Sequence, residues 1–167
     1  MRQKIKAFLM ALATISIFSP KHVRAGESIN FPEKEIKLNL VLQKYNSPLQ
    51  GHEKELITYA EKYHLDWALL AAIAGTESSF GKRMPYQCLN PFGWGIYGQN
   101  RLCFDSFSQT IQTVAQGIGT KYNTTNLETI ARTYNPVNTQ HWLRLTRKFL
   151  YQIKNQPIPA SKLPITL

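Results

Sequence analysis

This 167-residue chain is short of acids, of cysteine and of long apolar stretches, and each shortage closes off a class of protein. Its one sustained apolar run, Ala7 to Phe18, has twelve residues, too few to cross a hydrocarbon core comfortably. The four histidines (His22, His52, His64, His141) are scattered, and none pairs with another at a metal-ligand spacing. No metal and no cofactor are expected. The two cysteines have no histidine beside them, which argues against a cysteine nucleophile. Ten acidic residues face twenty basic ones, yet no basic block exists. Five of the twenty (Arg2, Lys4, Lys6, Lys21, Arg24) precede Gly26, leaving fifteen basic against ten acidic residues, or +5, spread along the remainder. A nucleic-acid binder concentrates its charge on a stripe or an arm, so no nucleic-acid partner is expected. A mildly basic surface suits an acidic polymer or an envelope. Disorder is excluded by a chain that is 43% hydrophobic and 11% aromatic.

What is present begins with an export signature. Arg2, Lys4 and Lys6 form a basic start, the apolar run follows, and Val23-Arg24-Ala25 offers a cleavage site. Residues 1–25 therefore read as a signal peptide, with an uncleaved anchor as the alternative, and the protein is expected in the periplasm or outside the cell. The remainder is the length of one domain: a lead-in over 26–44, a catalytic domain over 45–155 and a proline-containing tail over 156–167. Cys88 and Cys103, with fourteen residues between them, read as a disulfide in an oxidising compartment.

Helical spacing of apolar residues recurs over Glu53 to His64, Ser106 to Tyr122, Asn126 to Tyr134 and Thr139 to Asn155, the last turning Trp142, Leu145, Phe149, Leu150 and Ile153 inward. Trp67 to about Ser79 is apolar all round, as a buried central helix should be, with Asp66 as its expected N-cap and Gly81 ending it. Between Pro85 and Asp105 the glycines, prolines and aromatic rings suggest a small β-hairpin turning at Gly98-Gln99-Asn100-Arg101. The expected fold is mainly α, with that hairpin inserted after the central helix.

Glu77 is the anomaly. It stands near the C-terminal end of the apolar helix, where apolar surroundings and the helix dipole both disfavour a carboxylate. Both effects raise its pKa, and a carboxylic acid still protonated near neutrality is what a glycosidic general acid requires. Downstream lies a stretch of rings and glycines (Tyr86, Phe92, Trp94, Tyr97), and sugar rings bind on aromatic faces. Tyr134-Asn135-Pro136 is a second polar-aromatic element that would face the same cleft.

These residues resemble a family. The run from Tyr59 through Ile73-Ala74-Gly75-Thr76-Glu77-Ser78-Ser79-Phe80-Gly81 is similar to the catalytic-helix segment of lysozyme-like lytic transglycosylases, the group of soluble lytic transglycosylases and goose-type lysozymes, in which Ser follows the catalytic Glu. Asn90-Pro91-Phe92-Gly93-Trp94-Gly95 resembles the glycine-rich segment that follows, and Ile130-Ala131-Arg132-Thr133-Tyr134-Asn135 resembles the Ala-Tyr-Asn motif, with Thr133 in place of Ala. The resemblance spans about Tyr45 to Ile153. The family's Gly-Leu-Met-Gln stands here as Gly95-Ile96-Tyr97-Gly98, without the substrate-contacting Gln; Gln87 and Gln99 are the available substitutes. Related N-acetylglucosaminidases share the Glu-Ser-x-x-Gly pattern.

The resemblance implies an α+β lysozyme-like fold and cleavage of the MurNAc-β-1,4-GlcNAc linkage of peptidoglycan. It implies Glu77 as the catalytic residue, with Ser78, Asn90, Trp94, Tyr97, Tyr134 and Asn135 around the substrate. Ser78 would orient the carboxyl or the N-acetyl group, and Tyr134 would hold the sugar or Glu77. A retaining or inverting hydrolase normally needs a second carboxylate across the cleft. Asp105 suits a helix start better, and Glu128 suits a solvated first turn. A single acid favours the transglycosylase route to 1,6-anhydro ends. A muramidase or glucosaminidase on the same fold, and a non-catalytic glycan-binding module, are the alternatives. The expected partner is the glycan strand, met by a monomer, with an envelope-spanning secretion or conjugation apparatus as a further partner suggested by size.

Overall fold

The structure, a computed structural model, describes residues 30–95, 102–122, 124 and 126–162. The leader lies outside them, as do Tyr97, Gln99 and the hairpin turn at 98–101. Among the described residues six helices follow in chain order: α1 Asn30–Lys44, α2 Glu53–Lys62, α3 Leu69–Ser78, α4 Phe107–Lys121, α5 Leu127–Tyr134 and α6 Thr139–Lys154, with a short 3-10 turn at Ala160–Lys162. No helix among the described residues is long and apolar enough to cross a membrane.

The centre is α3. Every residue from Leu69 to Gly75 is buried, as expected of a helix with no polar stripe to turn outward. Its neighbours are α2 on one side and α6 on the other; α4 packs on α2, and α5 on α6. The segment read as a lead-in belongs to this core. Leu38, Val41 and Leu42 of α1 are fully buried, and α1 lies against both α2 and α6. The helix starts follow ordinary capping chemistry: Ser106 accepts from the Gln109 N–H and Asn126 from the Thr129 N–H. Asp66 serves a turn earlier than expected. Its carboxylate accepts from the Ala68 N–H at 3.0 Å, while α3 begins at Leu69 with Ala68 as its N-cap.

The end of α3 decides where the next loop goes. Ser79, Phe80 and Gly81 have φ of +52°, +59° and +86°, and this left-handed run turns the chain back so that the Phe80 N–H bonds the Ala74 carbonyl at 2.9 Å. Phe80 thereby enters the core, its ring 4.6 Å from that of Tyr45 and 5.0 Å from that of Phe149. The loop beyond is closed by the Cys88–Cys103 disulfide.

Among the described residues there is no strand, and the hairpin expected here is replaced on its described flanks by turns and irregular chain. The physical reason is Asn90, which is 2% exposed. Its amide donates to the Trp94 and Leu102 carbonyls, both at 2.8 Å, and accepts from the Trp94 N–H at 3.1 Å. One side chain thus takes backbone groups that a β-ladder would otherwise pair.

Candidate active site

Glu77 occupies the last full turn of α3, and its carboxyl opens into a two-lobed cleft. The first lobe, about 540 Å³, is lined by Glu77, Arg83, Asn90, Gly93, Tyr134 and Val137 among others. The second, about 400 Å³, runs on past Gly93 and Tyr134 to Trp94, Lys121 and Tyr122. Both volumes fall in the range of small-molecule and oligomer subsites. Gly93, Tyr134 and Pro136 border both lobes.

Two structural elements grip the carboxyl. From α6, the Trp142 indole N–H donates to Glu77 Oε1 at 2.6 Å. One turn further along α6, Thr146 meets the hydroxyl of Thr76 at 3.0 Å. Consecutive residues of α3 are therefore matched by residues four apart on α6, the spacing that places two side chains on one helix face. From the loop, Gly93 approaches with φ +62°; a Cβ built there would stand 3.0 Å from Glu77 Oε2. Only a residue without a side chain lets the backbone pass this close in that conformation.

The electrostatics follow from this packing. Glu77 as a whole is exposed to the open cleft, while the cleft walls displace part of the water that would solvate its charge. This desolvation raises the pKa above its ordinary value of 4.5, and the Trp142 hydrogen bond, which favours the ionised form, offsets part of the rise. Such a group can both give and take a proton.

The remaining site residues divide by task. Tyr134 stacks on Trp142, with ring centroids 5.2 Å apart and planes at 27°, and its hydroxyl donates to the Phe92 carbonyl at 2.6 Å. It therefore fixes the indole and the Gly93 loop together. Trp94 is half-buried in the second lobe. Its ring sits so close to α4 that a Cβ on Gly117 would lie 2.4 Å from it. Ser78 borders the first lobe, but its hydroxyl bonds the Ala74 and Pro91 carbonyls, at 3.0 and 2.6 Å, and accepts from the Gly81 N–H at 2.8 Å. Its work is to tie α3 to the loop. Asn90 likewise folds the loop with its amide. Asn135 lines the first lobe and accepts from the Asn138 N–H at 2.9 Å, shaping the turn into α6. Gln87, offered as a substitute for the missing Gln, is exposed and borders neither lobe.

Among the described residues Glu77 is the sole carboxylate lining either lobe. Asp105 is exposed beside the start of α4, and Glu128 pairs with Arg147 on α6. The residue the sequence reading missed is Trp142. It was placed on the inward face of α6, and it is 2% exposed; the use of its N–H on Glu77 has no signature in helical periodicity.

A mainly helical domain with one desolvated carboxyl in a ring-lined cleft is the class that the fold and the site define. No protein-family model matches the chain, and no curated protein matches it.

Proposed function

We propose that the protein is an exported peptidoglycan lytic transglycosylase of lysozyme-like fold. The observation that carries this reading is the lone Glu77 carboxyl, raised in pKa, held by Trp142 and Gly93 in a two-lobed cleft that no second described acid lines. The disulfide supports export.

In this mechanism a MurNAc-GlcNAc junction lies across the lobes, with rings against Tyr134 and Trp94. Protonated Glu77 gives its proton to the glycosidic oxygen as the bond from MurNAc C1 to that oxygen breaks, releasing the 4-hydroxyl of GlcNAc. The carbonyl oxygen of the substrate's own N-acetyl group bonds C1 and carries the positive charge. Glu77, now ionised, removes the proton of the MurNAc 6-hydroxyl. That oxygen then displaces the acetamido oxygen from C1, closing the 1,6-anhydro ring. Glu77 ends protonated and no water is consumed. One residue serves as acid and then base, which a carboxyl with opposed influences on its pKa suits.

Purified peptidoglycan incubated with the chain from Gly26 onward should release soluble muropeptides. Glu77→Gln should release none, whereas Asp105→Asn and Glu128→Gln should retain most of the rate. Loss of activity in either of the latter two would point to a hydrolase.

A further inference from the structure

The first lobe holds a cation, Arg83, to which no described carboxylate is bonded. Arg83 lines the lobe together with Glu77. Its backbone N–H is tied to the Ser78 carbonyl at 2.9 Å, so the residue leaves the chain from a fixed point at the mouth of the cleft. Four other described cations are paired, Lys34 with Glu61, Lys37 with Glu33, Arg147 with Glu128 and Lys154 with Asp66; what sets Arg83 apart is that it is the cation lining the Glu77 lobe. Among the described residues no carboxylate pairs with Arg83. The hydrogen bond to the Glu77 carboxyl comes from Trp142 rather than from Arg83. A guanidinium in an open cleft, free of the one carboxyl that shares the cleft, offers its planar donor fork to an incoming carboxylate. Lys121 adds a second cation in the neighbouring lobe. When Glu77 is protonated the lining is cationic, and an anionic substrate meets no repulsion.

We infer that Arg83 is a specificity residue that reads a carboxylate carried on the 3-substituent of the substrate's acidic sugar. This inference rests on the glycan-cleaving reading of the cleft. Two sources supply that chemistry: the carboxylates of an attached peptide stem, or the lactyl carboxylate of a sugar stripped of its stem.

The test uses the Glu77→Gln chain, which binds without cleaving, and three glycans of equal length titrated by calorimetry: strands with stems, strands stripped by an amidase, and neutral N-acetylglucosamine oligomers. The expected result is tighter binding of at least one carboxylate-bearing strand than of the neutral oligomer, by roughly five- to tenfold, the size of one solvent-touched charge-assisted contact. The margin should shrink as salt rises. Whichever acidic strand carries it identifies the source. Adding Arg83→Gln should erase the margin without weakening the neutral oligomer, and Arg83→Lys should restore part of it. Equal binding of all three glycans, or a margin untouched by Arg83→Gln, overturns this inference and leaves the glycan-cleaving reading standing. Binding of none of them overturns both.

Discussion

Trp142 and Glu77 are 65 residues apart in the chain and 2.6 Å apart in space, the indole N–H of one donating to the carboxyl of the other. The bond sets a compromise. The cleft walls push Glu77 towards the neutral acid, and the indole draws it part of the way back.

Trp142→Phe keeps the ring stacked beside Tyr134 and removes the donor. Since that donor lowers the pKa of Glu77, its loss raises the pKa further and leaves the acid protonated to higher pH. The alkaline limb of the kcat profile should therefore move to higher pH. The maximum should fall by roughly tenfold, as expected when one positioning hydrogen bond to a reacting group is lost. An unmoved alkaline limb would mean that the indole does not act on the carboxyl in solution.

The same shift has a consequence for stability. In the folded state the pKa of Glu77 lies above its ordinary value of 4.5. Ionisation thus disfavours the fold, and the group's favourable contribution, complete below 4.5, is lost as pH rises through the folded value. Glu77→Gln removes this titration while its amide oxygen still accepts from Trp142. Its melting temperature should match that of the parent below pH 4.5 and, in paired calorimetric scans run to about pH 8, exceed it as pH rises through the folded value, with a steady margin above that. A constant difference across that range would contradict the raised pKa.

Gly93→Ala separates folding from catalysis. The left-handed φ costs about 1–2 kcal/mol with a Cβ present, and a Cβ 3.0 Å from Glu77 Oε2 forces the carboxyl aside. Because that atom ends a flexible side chain, the fold should survive with a stability loss of this order, read by denaturant titration. Turnover should drop by roughly tenfold, since the carboxyl must yield by a few tenths of an ångström from the position that the chemistry needs. Full activity in a folded variant would show that the carboxyl does not need this position.

The Cys88–Cys103 bridge encloses Asn90, Gly93 and Trp94, so reduction should reach the site through the loop. In the chain-entropy model a closed loop of this size stabilises by about 3 kcal/mol. Denaturation with and without a phosphine reductant should differ by about that amount, with activity lost at temperatures where the helices persist by circular dichroism. Equal stability under both conditions would mean that the loop is held without the bond.

How far the sequence could lead is shown by particular residues. The apolar run around Ile73 could be satisfied only by a central helix, and an acid at position 77 stood out against it. Five helices were legible, four because each buries one face and α3 because it is apolar all round, and the ends found in the structure lie within about two residues of those expected. α1 was less legible, since Leu38, Val41 and Leu42 share their helix with charges on most turns. The turn of the expected hairpin lies outside the described residues; its described flanks carry no strand, and ring and glycine content cannot reveal that Asn90 takes backbone bonds there. Ser78 and Asn90 were expected at the substrate, yet their polar atoms are engaged in holding the loop. Nothing local distinguishes those uses. Trp142 has the periodicity of a core residue and is one, and only the crossing of α3 with α6 brings its N–H to Glu77.

In the proposed reaction Glu77 works alone, and the sugar's own 6-hydroxyl, rather than water, closes the sequence. The most direct measurement is mass spectrometry of muropeptides released from purified peptidoglycan in water enriched in heavy oxygen. The account predicts new MurNAc ends one water lighter than a reducing sugar, carrying no heavy oxygen and absent with Glu77→Gln. Reducing ends labelled with heavy oxygen would contradict it and would mean that water, deprotonated by Glu77 or another group, ends the reaction in place of the 6-hydroxyl.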